Sequence, residues 1–123
     1  MSRTTRNTGI LGEELACQAL ARRGYRIIER NWRCASGEID IVAQDRAVWV
    51  FVEVKTRHGH TFGMPEDAIT PAKAERLVDL AELYLAEKKV DAVCWRVDLV
   101  AVELERSECV RRLDIITDIG ADI

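Results

Sequence analysis

Charge interrupts two otherwise apolar runs in the first half of the chain. Gly37-Glu38-Ile39-Asp40 leads into Ile41-Val42-Ala43, and after twelve intervening residues Glu53-Val54-Lys55 follows the run Val48-Trp49-Val50-Phe51-Val52. Strand side chains alternate between faces, which puts Glu38 and Asp40 on one face and pairs Glu53 with Lys55 on one face, with Ile39, Val52 and Val54 opposite. The nearly continuous apolar stretch from Val48 to Val54 suits a central strand covered on both sides. A carboxylate in such surroundings shifts its pKa or acquires a counter-charge. A divalent cation would satisfy Asp40 and Glu53 together through oxygen ligands, leaving positions for water and a phosphate oxygen, the usual manner of Mg²⁺. Lys55, two residue rises or roughly 7 Å from Glu53, could then orient that water or offset charge developing on a phosphate. Alone, Glu-x-Lys is a weak pattern, because charged residues two apart on a strand commonly form an exposed face.

The elements that must hold these residues can be read from periodicity. Thr8 is expected to cap a helix over Gly9 to Arg23, with Leu11, Leu15 and Ala19 as its apolar stripe, Glu14 at the stripe's edge and Gly24 as its stop. Residues 1–8 read as a flexible tail and residues 9–123 as a single domain. Tyr25 to Arg33, Glu38 to Gln44 and Ala47 to Thr56 read as three strands, with a tight turn at Asp45-Arg46. Gly59, Gly63 and Pro65 mark a loop, and Thr70-Pro71 is a cap followed by proline at the first helical position. A helix follows to about Lys89, with Leu77, Leu80, Ala81 and Tyr84 at helical spacing. Ala92 to Val102 is again strand-like, and Val110 to Ile116 reads as an extra strand. The order αβββαβ with that C-terminal strand gives an α/β fold with a mixed sheet flanked by helices.

The chain has 123 residues, 48% of them hydrophobic, enough for one core. The polar start, with Arg3 and Arg6, lacks a signal peptide's apolar stretch, and no segment is long enough to span a bilayer. Cys17, Cys34, Cys94 and Cys109 are scattered without a C-x-x-C pair, a pattern that suggests neither a disulfide framework nor a zinc site and fits free, mostly buried thiols in a reducing cytoplasm. A net charge of −3 argues against simple coating of nucleic acid. Residues 1–33 nevertheless hold seven arginines against three glutamates, a local +4 that leaves −7 for the rest. That third, Arg33 included, is the expected anion-facing part, although an arginine-rich helix end and strand edge can equally be solvated.

Together, Asp40 after a glycine, the apolar run before Glu53, Lys55 and an upstream helical glutamate resemble the PD-(D/E)xK restriction-endonuclease-like nucleases. The chain is most similar in pattern to the small bacterial YraN-like family, itself similar to archaeal Holliday junction resolvases. The resemblance covers Gly9 to Ala16, Arg30-Asn31-Trp32-Arg33, Gly37 to Ala43, Phe51 to Arg57, Phe62-Gly63 with Pro65, and Lys73. It implies that Asp40 is the motif aspartate, Glu53 the second acidic ligand, Lys55 the motif lysine and Glu14 the helical glutamate of resolvase-like members. Ile39 stands where the superfamily's name has proline. The implied fold is restriction-endonuclease-like, and the implied activity is Mg²⁺- or Mn²⁺-dependent cleavage of DNA, with branched or junction structures as substrates.

Other residues have two readings. Glu38 is an extra acid or ligand near the site, or a strand-start carboxylate near Arg33 or the Gly37 turn. Arg57, following Lys55 on the same strand face, is the better phosphate contact. Lys73, in the first turn of the second helix, opposes the helix dipole and calls for an anion nearby, unless it merely snorkels from the stripe's edge. His58 and His60 lack an obvious third ligand. Trp49 and Trp95 read as core, whereas Trp32, between Asn31 and Arg33, reads as a stacking platform for an unpaired base. A small footprint on a duplex or junction favours a symmetric dimer. The alternatives to a nuclease are a catalytically weak or inactive nucleic-acid-binding module and a protein-interaction domain.

Overall fold

A computed structural model describes residues 2–58, 67, 69–91 and 93–120, with side chains described from residue 8 onward. The elements are α1 (Ser2–Arg22), β1 (Arg26–Cys34), β2 (Gly37–Asp45), β3 (Val48–His58), α2 (Pro71–Glu87), β4 (Trp95–Leu104) and β5 (Val110–Ile116). The five strands form one sheet in the order β1-β2-β3-β4-β5. All neighbours run antiparallel except β3 and β4, which are parallel. That single parallel pair needs a crossover, and α2 supplies it. The expected mixed α/β sheet, with its C-terminal strand, is therefore the architecture.

β3 is central, and Val50, Phe51 and Val52 are fully buried on alternate faces. Against one face lies α1, where Ala16, Cys17 and Leu20 pack on Ile41, Ala43, Val50, Val52, Val100 and Val102. Against the other lies α2, where Leu77, Leu80, Ala81, Tyr84 and Leu85 pack on Ile39, Val42, Phe51 and Val97. Trp32 belongs to this second core: it is buried, stands edge-on to Tyr84 at 5.3 Å and donates from Nε1 to Glu87 at 3.0 Å. A buried ring so engaged is no platform for a base. Trp49 and Trp95 pack partly buried against the same core, as expected.

Helix ends follow local chemistry. Thr70 caps α2, its hydroxyl accepting from the Lys73 N–H at 3.2 Å, with Pro71 in the first turn. α1 ends on Gly24 at φ +92°, where Tyr25 N–H donates to the Leu20 carbonyl and Gly24 N–H to that of Ala21, the paired bonds of a Schellman ending. The start of α1 differs from expectation. Its backbone is helical from Ser2, so residues 2–8, expected as a tail, continue the helix, and Thr8 is a buried interior position rather than a cap. Threonine caps well but is tolerated inside a helix at a cost of a few tenths of a kcal/mol, so its presence does not oblige a start.

The buried stripe of α1 also differs. Thr8, Gly12, Ala16 and Leu20 lie buried at every fourth position, while Leu11 and Leu15 are only partly buried. Small residues line the contact because the helix comes very close to the sheet: a Cβ on Gly12 would sit 1.9 Å from Thr56 Oγ1. All four cysteines are free, but Cys94 and Cys109 are exposed, contrary to the expected mostly buried set. Gly59, His60, Phe62, Gly63 and Pro65 lie outside the described residues. No helix of the described residues is long and apolar enough to cross a membrane.

Candidate active site

The site forms where two strands part. β2 and β3 pair from Asp45↔Val48 to Ile41↔Val52, and their ladder ends there. β2 continues on β1 toward Gly37 while β3 continues on β4 toward His58. Asp40 lies at the root of this fork. Its Oδ2 accepts from the Val54 backbone N–H at 2.8 Å, so a carboxylate holds a β3 donor just past the end of the ladder.

The fork also disturbs the alternation of faces. Ile39 packs with the α2 core and Ile41 with the α1 core, although they are two residues apart and a regular strand would place them together. The opposing β1 residue, Asn31, has φ +54°. Glu38 and Asp40, expected on one face, consequently line different cavities. Glu38 lines a cavity of about 200 Å³ on the α2 side. Asp40 lines an open groove of about 400 Å³ on the α1 side. Glu53 and Lys55 line both, which places them at the passage between the two faces.

Asp40 and Glu53 are brought together as the sequence predicted. Asp40 is only 9% exposed and lines the same groove as Glu53. Burial first, then the Glu53 charge, pushes the Asp40 carboxyl from 3.8 up to about 7, against the downward pull of the Val54 N–H. Lys55 Nζ stands 3.6 Å from Glu53 Oε1. Two carboxylates whose charges repel in a partly dry site offer hard oxygen donors that suit a divalent cation, which relieves that repulsion. Among the described residues no group of three His, Cys, Asp or Glu side chains is set to hold a metal, so waters or substrate oxygens would complete the coordination.

The helical glutamate next to this pair is Glu13. It lines the groove with Asp40 and Glu53, and its pKa is raised by burial and then by Asp40, while a hydrogen bond with Asn31 lowers it. Glu14, the residue expected there, is exposed and ion-paired with Arg30 at 3.0 Å. The exchange follows from the stripe. With Leu11, Leu15 and Ala19 taken as the inner face, Glu14 falls at its edge; with Gly12, Ala16 and Leu20 inward, a rotation of about 100° brings Glu13 to the edge and turns Glu14 away. The signal that finds Glu13 is the spacing of the small residues Gly12 and Ala16, which permit close approach where leucines do not.

The expected substrate contacts divide. Arg57 lines the α1-side groove with Lys55 and His58, and Lys73 lines the α2-side cavity with Glu53, Glu38 and Lys55, the acidic company its position called for. Arg33 joins neither: its exposed guanidinium is paired with Glu38 at 2.9 Å.

The sequence matches the family described as "Uncharacterised protein family UPF0102" over residues 12–102. The chain belongs to this family. UPF0102 is the YraN family, so the sequence resemblance is borne out. A UPF0102 protein of Syntrophus aciditrophicus is 44% identical over 118 residues, covering 94% of this chain and 91% of its own. Another, from Symbiobacterium thermophilum, is 52% identical over 99 residues, 80% of this chain and 84% of its own. A third, from Mycolicibacterium smegmatis, is 46% identical over 110 residues, 87% and 89% of the two chains. The matched span of this UPF0102 chain takes in Glu13, Asp40, Glu53, Lys55, Arg57 and Lys73.

Proposed function

We propose that this UPF0102 protein is a Mg²⁺- or Mn²⁺-dependent endonuclease that hydrolyses phosphodiester bonds in DNA, acting on branched or junction structures in the cytoplasm. The observation that carries the reading is the convergence of Asp40, Glu53 and Lys55 on one groove, at the fork where β2 and β3 part. Asp40 and Glu53 would hold the cation, which when bound polarises the phosphate and lowers the pKa of a coordinated water. Lys55 is placed to offset charge that develops on the phosphate, and a lysine fixed by Glu53 needs little reorganisation to do so. Arg57 on the groove side and Lys73 on the cavity side supply positive charge for the flanking phosphates, while Arg33 extends that surface outward. Glu13 lines the same groove and adds negative charge beside Asp40, which favours a cation there. A symmetric dimer would let two such sites address both strands of a junction.

A second reading, a DNA-binding module without useful catalysis, is favoured by the lack of a third close side-chain ligand among the described residues. The deciding experiment compares wild type with Asp40→Ala, purified identically, on labelled single-stranded, duplex, flap and four-way-junction DNA in Mg²⁺ or Mn²⁺. Cleavage by wild type alone supports the nuclease. Metal-independent binding with no cleavage across the panel selects the second reading.

A further inference from the structure

The α2-side cavity is not needed to hold a phosphate between Asp40, Glu53 and Lys55, yet it is lined by the last two of them. Leu77 and Leu80 of α2 are buried beneath it, and Ile69 and Ile119 close it from two separate segments. Five of its ten described lining residues are charged: Glu38, Glu53 and Lys55, the last two shared with the carboxylate site, and the cations Lys73 and Arg76. At about 200 Å³ it is smaller than the roughly 300–1,000 Å³ of pockets that take whole small molecules. Its shape is also fixed. Arg76 is tied by its guanidinium to the Ser36 carbonyl at 2.9 Å, and Gly37, at φ +150°, leaves room that a Cβ would fill at 3.3 Å from Leu80.

A cavity lined by four aliphatic side chains as well as charged ones, and sharing Glu53 and Lys55 with the proposed phosphate site, suits a flat ring carried on a phosphate backbone. We infer that this cavity receives a single unpaired nucleobase adjacent to the scissile phosphate, so that the enzyme selects DNA in which a base is already free of its partner. The inference rests on the nuclease reading and narrows its substrate class. Apolar side chains sandwich the ring, as they do in other pockets that take a base out of the stack. Glu38 and Arg76 at the mouth offer an acceptor and donors to the base edge. Lys73 and Lys55 attract the phosphates on either side. Unpairing is costly within an intact duplex and nearly free at a junction, flap or extrahelical nucleotide, so the pocket converts shape into selectivity without reading sequence.

The test measures binding of wild-type protein, in Ca²⁺ to suppress cleavage, to three duplexes: fully paired, with one extrahelical nucleotide, and with the same extrahelical position abasic. The base-bearing duplex is expected to bind about tenfold tighter than the abasic one, the usual worth of sequestering one base. Ile119→Trp, which fills the cavity from its rim, should erase that difference while keeping wild-type affinity for the paired duplex. Equal affinity of wild type for base-bearing and abasic DNA, with metal-dependent cleavage of either in Mg²⁺, overturns the base pocket and leaves the nuclease standing. Neither binding nor cleavage of any of the three overturns both.

Discussion

Two acidic clusters centre on the strands that flank β3, Asp98 on β4 and Asp40 on β2, and the chain treats them differently. Asp98, level with Val52 of β3, is wholly buried, yet it accepts from Arg96 Nε at 3.1 Å and from the Asp118 N–H at 2.9 Å. Arg96 also donates to Tyr25 Oη at 2.7 Å and to Asp45 at 3.4 Å, tying β4 to the ends of α1 and β2. Burial raises the Asp98 pKa, and Arg96 and the Asp118 N–H pull it back. At the fork, Asp40 faces Glu53 instead, and the nearby ammonium of Lys55 lies against Glu53. The first cluster brings its own cation and acts as a clasp. The second leaves repulsion standing, a cost that proteins sustain at sites meant for a ligand.

The contrast can be broken most severely by activity. Asp40→Asn should lower metal-dependent cleavage by at least about 10³-fold, whereas Asp98→Asn should leave the rate per folded molecule unchanged; single-turnover assays on a junction substrate check both. Comparable losses would mean that the clasp, too, is part of the site.

Stability against pH comes next. The folded pKa of Asp40 lies above its value of 3.8 in the unfolded chain, so the folded state keeps a proton that the unfolded state releases. Stability from this group is highest below pH 4, falls as pH rises to about 7 and is level above that, a swing of up to about 4 kcal/mol. Urea titrations from pH 4 to 8 should show this decline in wild type and its flattening in Asp40→Asn, whose amide oxygen still accepts from Val54 N–H. A decline unchanged by the substitution would place the unrelieved repulsion elsewhere.

Asp98→Asn removes the charge partner of a mostly buried guanidinium and should destabilise by about 3 kcal/mol at pH 7, read by the same titrations. The smallest effect separates the two neighbouring glutamates. Glu14→Gln breaks an exposed pair with Arg30 and should change stability by less than about 0.5 kcal/mol and cleavage not at all. Glu13→Gln should alter the Mg²⁺ concentration needed for half-maximal cleavage. Equal responses would show that the rotation of α1 has no bearing on the site.

Much of this was legible in local pattern. The Val48–Val54 run, the Thr70-Pro71 start, Gly24 and the Val110–Ile116 strand appeared where expected because caps, turns and alternation depend on residues within a few positions of one another. The pairing of Asp40 with Glu53 was legible too, since a short turn between two strands leaves few registers. The start and rotation of α1 were not. Hydrophobicity drew the stripe through Leu11 and Leu15, while the real contact runs through Gly12 and Ala16, chosen for lack of bulk.

By itself, then, the sequence determined which segments are helix and strand, that β3 is central, and that Asp40, Glu53 and Lys55 belong together. Only the tertiary structure decided that β2 and β3 separate beyond Ile41 and Val52, that Glu38 and Asp40 serve different cavities, and that Glu13 rather than Glu14 attends the carboxylates. The physical reason is that alternation holds only for an unbroken ladder, and helical phase is set by whichever face can approach the sheet most closely. Both depend on groups distant in the chain, the Val54 N–H that Asp40 captures and the Thr56 hydroxyl that admits no side chain at Gly12.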